Sequence, residues 1–148
     1  TSWWFRIVEP GPPAPYLSPA GLVYGLMTPL HQGRVLFTTV QGPDFAASSR
    51  FAAAPLLSAV AVQQGRHLAV NLVNFSPDRD ARLTLALRGF TPRGIVHLQM
   101  LTGPGPDATN EPDAPTRVHV TQKALSVTQS PLLLTLPANC AATVELTN

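Results

Sequence analysis

The groups able to form a hydrolytic carboxylate pair are eight: Glu9, Asp44, Asp78, Asp80, Asp107, Glu111, Asp113 and Glu145. A hydrolytic dyad needs two of them facing one cleft with different environments. Most of these fall in turn-like or Pro-rich stretches, where an acid is ordinarily solvated or caps a turn. No self-sufficient catalytic pair is expected, so the catalytic set is none. Glu9 is the exception in position: it follows the apolar run Trp3–Val8 and opens the segment Glu9-Pro-Gly-Pro-Pro-Ala-Pro.

His31, His67, His97 and His119 have no metal-ligand spacing, and a metal site needs three or four convergent ligands. No metal and no cofactor are expected. Asp78-Arg-Asp80 reads as a salt-laced turn, because no D-x-D-x-D-G loop for calcium is present. Cys140 is the only cysteine, which excludes an intrachain disulfide. No basic side chain flanks it, so it reads as a buried structural thiol. Neither a phosphate-binding Gly-rich loop nor a G-x-S-x-G elbow occurs. Asn74-Phe-Ser76 is a formal glycosylation acceptor.

Trp3 and Trp4 point to opposite faces if residues 3–8 are a strand. One then packs in the interior, and the other is free to stack on the apolar face of a sugar. Trp3, Trp4 and Glu9 are the candidate substrate-lining residues.

The elements that would position these groups are mostly strands. The 148 residues fit one domain-sized core, with 12% charged residues and a net charge of only +2. Lys123 is the only Lys among ten basic residues, and the Arg residues are scattered. That distribution excludes a phosphate-binding stripe, so no nucleic acid partner is expected. No stretch reaches the length of a membrane span. A secreted or extracytoplasmic location is favoured.

Ser18 is an N-cap, with Pro19 in the first helical turn, for a helix over residues 18–28 that Pro29 stops. Gly21 and Gly25 either weaken it or let it pack closely. Its Leu22/Leu26 stripe, with Trp3, predicts an apolar patch exposed in the isolated chain. Beyond it the hydrophobic period becomes two. Strands are predicted at 34–40, 57–62, 67–73, 82–87, 95–101, 117–121, 124–128, 132–136 and 142–146, with long loops at 74–80 and 102–115. The fold class is therefore mostly β: an antiparallel, jelly-roll-like β-sandwich with one short N-terminal helix.

Several motifs in fixed order carry a resemblance. They are Leu68-Ala-Val-Asn-Leu-Val-Asn-Phe-Ser, Arg82-Leu-Thr-Leu-Ala-Leu-Arg-Gly-Phe, Leu101-Thr-Gly, Asn110-Glu-Pro-Asp-Ala-Pro-Thr-Arg-Val and Leu136-Pro-Ala-Asn-Cys-Ala-Ala-Thr-Val. Over residues 56–146 the chain resembles the C-terminal β-sandwich of family fifty-one α-L-arabinofuranosidases. It resembles glucuronidase- and heparanase-type families less. Cys140 and Ala141 stand where that family tends to have small hydroxyl residues.

The resemblance implies that residues 1–30 are the tail end of a (β/α)8 barrel and residues 31–148 an accessory sandwich. It further implies that the carboxylates of a retaining glycoside hydrolase lie upstream. The partners it implies are the catalytic barrel, in the same or another chain, and through it an oligo- or polysaccharide. The competing readings are a stand-alone carbohydrate-binding module and an adhesion or assembly module.

Overall fold

The computed structural model describes residues 6–45, 53–127 and 130–148. A short ladder opens the described chain, β1 (Val8–Glu9) pairing with β2 (Tyr16–Leu17). Helix α1 (Pro19–Met27) follows and runs into a 3-10 turn, Thr28–Leu30. Then come β3 (Arg34–Leu36), β4 (Asp44–Phe45), β5 (Ala54–Pro55), β6 (Leu57–Gln64) and β7 (His67–Asn74). The remaining strands are β8 (Ala81–Leu85), β9 (Ile95–Thr102), β10 (His119–Ser126), β11 (Leu132–Leu136) and β12 (Cys140–Thr147).

Six strands form one antiparallel sheet in the order β10-β9-β12-β7-β6-β3, and β11-β8 form a second layer over it. Register explains the core. Leu36, Ala61, Val70, Val144, Leu98 and Lys123 are successive cross-strand partners in one row. The five apolar members face β8 and β11, and Leu83, Leu85, Leu132, Leu134 and Leu136 meet them from the other side. Lys123 ends the row on the edge strand, where a charge discourages further strand pairing.

The opposite face of the large sheet carries α1. Thr143 on β12 donates its hydroxyl to the Leu26 carbonyl at 2.8 Å and lies beneath the helix. The N-cap is as expected: Ser18 Oγ accepts from the Gly21 N–H at 3.1 Å, and its hydroxyl donates to the Arg6 carbonyl. Gly21 is required by close approach. A Cβ there would stand 2.3 Å from the Ile7 carbonyl oxygen.

Four expectations are corrected. The strands expected at 117–121 and 124–128 are one continuous strand, β10, because its polar Gln122 and Lys123 sit on an exposed edge. The strand expected over 34–40 ends at Leu36, where pairing with β6 stops at Ala61. Tyr16–Leu17, to which the sequence assigned no element, pairs with Val8–Glu9, so Glu9 lies within a ladder rather than beyond it. Finally, Leu26 is only 1% exposed, since its side of α1 lies on the sheet. The apolar residues that α1 leaves open are Tyr24 and Met27.

Candidate functional site

Glu9 sits half-buried in the β1–β2 hairpin, its carboxylate 3.7 Å from the Arg6 guanidinium. Trp3 and Trp4 lie outside the described residues. Three of the other carboxylates bond loop groups. Asp78 accepts from the Ser76 hydroxyl at 3.2 Å, Asp80 accepts from the Ala138 N–H at 3.1 Å, and Glu111 accepts from the Thr109 hydroxyl at 3.3 Å. Arg79 reaches Asp78 only at 3.9 Å with both side chains largely exposed, a contact of small energetic weight. Among the described residues no three His, Cys, Asp or Glu side chains gather as a metal site.

Two asparagines, which sequence reasoning left among loop residues, organise the surface. Asn110 is 7% exposed, in the loop between β9 and β10. Its Nδ2 donates to the Leu17 carbonyl at 2.9 Å and the Val118 carbonyl at 3.0 Å, while Oδ1 accepts from the Val118 N–H at 2.7 Å. Every polar function of the amide is used. The loop is thereby fastened to the β1–β2 hairpin, and a Cβ at Gly11 of that hairpin would come 3.7 Å from Pro112 Cγ.

Asn74 is 1% exposed and plays the same part at the far end of β7. Its Nδ2 reaches the carbonyls of Arg79, Leu136 and Pro137, and Oδ1 accepts from the Ser76 N–H. The formal glycosylation acceptor is thus committed inside the fold. An Asn within a Pro-rich or Ser/Asp-rich loop is the available sequence signal. It does not separate a solvated amide from a buried one.

Two open grooves flank the sheet. One, of about 410 Å³, lies on the helix-bearing side and is lined by His97, Gln99, Gln122, Lys123, Ala124 and Glu145. His97 and Glu145 are direct cross-strand neighbours there. The other, of about 370 Å³, runs between the ends of β10 and β11 and is lined chiefly by Val96, Leu125, Val127 and Leu132–Leu134. None of the six strands of the large sheet carries Phe, Tyr or Trp. Cys140 is buried, and desolvation together with the Asp80 carboxylate pushes its thiol up to about 11.

Residues 9–140 match the family model described as the alpha-L-arabinofuranosidase C-terminal domain. The chain belongs to this family. The fold agrees. The family 51 arabinofuranosidase of Xanthomonas axonopodis pv. citri superposes with a TM-score of 0.79 at 23% identity, over 90% of this chain and 27% of that one. The Thermotoga maritima alpha-L-arabinofuranosidase gives 0.79 at 18% identity, over 95% of this chain and 31% of that one. The family 51 enzyme of Bifidobacterium longum gives 0.76 at 21% identity, over 97% and 28%.

This arabinofuranosidase C-terminal domain therefore spans less than a third of each of these enzymes. No curated protein matches it in sequence. Among its described residues, no helix is long and apolar enough to cross a membrane.

Proposed function

We propose that the chain is the non-catalytic C-terminal portion of a retaining glycoside hydrolase acting on α-L-arabinofuranosides, packed on and supporting the catalytic barrel. In this reading residues 1–30 are the last strand and helix of the barrel, and residues 31–148 are the sandwich. The carrying observation is the two-sided use of α1. Its Leu26 side is buried on β9 and β12, while Tyr24 and Met27, with Ile7, Val8 and Leu17 of the adjoining segment, remain exposed. Apolar surface of this kind marks a site normally covered by another protein body. A barrel whose last β/α unit is this segment would cover it.

The two catalytic carboxylates then lie on earlier barrel strands, about 5–5.5 Å apart as retention requires. In this reading Glu9, Trp3 and Trp4 line the substrate cleft. The partners are the barrel and, through it, an arabinose-bearing oligo- or polysaccharide, with no role for nucleic acid. A free-standing carbohydrate-binding module is disfavoured by the large sheet itself, which offers no aromatic platform for sugar stacking.

The test is hydrolysis of chromogenic arabinofuranosides and glucuronides by the chain alone, then with the upstream barrel polypeptide added. Turnover of arabinofuranosides only in the mixture supports the proposal. Turnover by the chain alone, or preference for glucuronides, overturns it.

A further inference from the structure

The geometry points to the loop of residues 103–118, fastened by Asn110 to the β1–β2 hairpin, as a rim of the substrate cleft that reads the substrate beyond its terminal arabinose. This rests on the proposed placement of β1 and α1 in the barrel. The Ser18 N–H donates to the Ile7 carbonyl at 3.1 Å, and its hydroxyl donates to the Arg6 carbonyl. Residues 8–17 are therefore a closed excursion that ends at the start of α1, and in the proposed placement it joins the last barrel strand to its helix. In a (β/α)8 barrel that segment lies on the catalytic face.

The sandwich loop meets this excursion directly. Asn110 Nδ2 donates to the Leu17 carbonyl at 2.9 Å, although the two residues are 93 apart in sequence. Pro112 stands beside Gly11. The holding group is buried, whereas Glu111, Pro112, Asp113 and Pro115 at the tip are exposed. Pro104, Pro106, Pro112 and Pro115 limit the loop's alternative conformations, so the rim is formed before substrate arrives. A terminal arabinofuranosyl unit is held by the barrel. A rim raised by two loops meets the chain to which that unit is attached, and Asn110 acts as a positioning residue for it.

The experiment uses the complete polypeptide containing the barrel. For wild type, Asn110→Ala and Pro112→Ser, kcat and KM are measured on a small chromogenic arabinofuranoside and on branched arabinan. The expected result is a fall of about fivefold in the arabinan-to-chromogen ratio of kcat/KM, carried by KM. An unchanged ratio overturns the inference, including the case where both substrates suffer equally, since that is a purely structural effect. If Asn110→Ala does not fold, the exposed Pro112→Ser decides alone. A wild-type enzyme that turns over no arabinofuranoside overturns the proposed function and this inference together. An active wild type with an unchanged ratio overturns only this inference.

Discussion

Thr143, at the middle of β12, holds the carbonyl of Leu26 at 2.8 Å, and both residues are almost fully buried. The carbonyl belongs to the last turn of α1, where intrahelical partners run out. The same hydroxyl accepts from Asn71 Nδ2 at 3.2 Å, so one side chain joins helix, β12 and β7. Thr143→Val keeps the shape and removes the bond to the Leu26 carbonyl, while Asn71 keeps its bond to the Ala142 carbonyl. Urea denaturation should show a loss of about 1–3 kcal/mol, and Thr143→Ser, which keeps the hydroxyl, should lose much less. A larger loss for Thr143→Ser than for Thr143→Val would mean that the methyl group, not the hydrogen bond, carries the contact.

The two glycines of α1 should respond in opposite directions. Gly21→Ala places a methyl group against the Ile7 carbonyl oxygen, which backbone cannot easily vacate. A loss of several kcal/mol in thermal or chemical denaturation is expected. Gly25 has nothing within 4 Å of the added atom, so Gly25→Ala should stabilise by about 0.5–1 kcal/mol through helix propensity.

Adjacent residues of β11 give a second contrast. Leu134→Ala and Leu136→Ala empty space between the two layers and should each cost about 2–5 kcal/mol. Leu133, 79% exposed on the same strand, should change stability by less than about 0.5 kcal/mol when replaced by Ala. A large effect at Leu133 in this chain alone would contradict the assigned face of the strand.

Cys140 predicts an alkaline loss of stability. Its thiol is raised from 9.0 to about 11 by burial and then by the Asp80 carboxylate, so the folded state keeps a proton that the unfolded chain releases. The stabilisation is complete below pH 9 and is lost as pH rises through 11, by about 2–3 kcal/mol in total. Denaturation midpoints between pH 8 and 11 should follow that slope, and Cys140→Ala should flatten it. Thiol reagents should label the native chain far more slowly than the unfolded one.

Leu132–Leu136, where buried and exposed residues alternate over the full run, was legible because burial and sequence share one period, and on His67–Asn74 the residues Leu68, Val70 and Leu72 keep the same step although Ala69 is buried too. Edges were less so. On β10 the solvent tolerates Gln122 and Lys123 on successive faces, and the resulting polar interruption mimics a turn. The β1–β2 ladder was hidden because two residues per strand, separated by prolines, carry no periodic signal. Asn110 and Asn74 were hidden for another reason. Their burial is decided by carbonyls of Leu17, Leu136 and Pro137, which lie near only after folding. Of the proposed sugar-facing residues, only Glu9 falls among the described positions, and its ladder placement was not apparent from composition.

The place of β12 in the large sheet has a consequence for biosynthesis. It follows both β7 and β9 in chain order, yet it lies between them and pairs with both. Until it emerges from the ribosome, the hairpin β6–β7 and the hairpin β9–β10 are separate ribbons, each with an unsealed edge. Premature termination before Cys140 would leave those edges free to pair with other chains, so such products should aggregate rather than persist as smaller folded units.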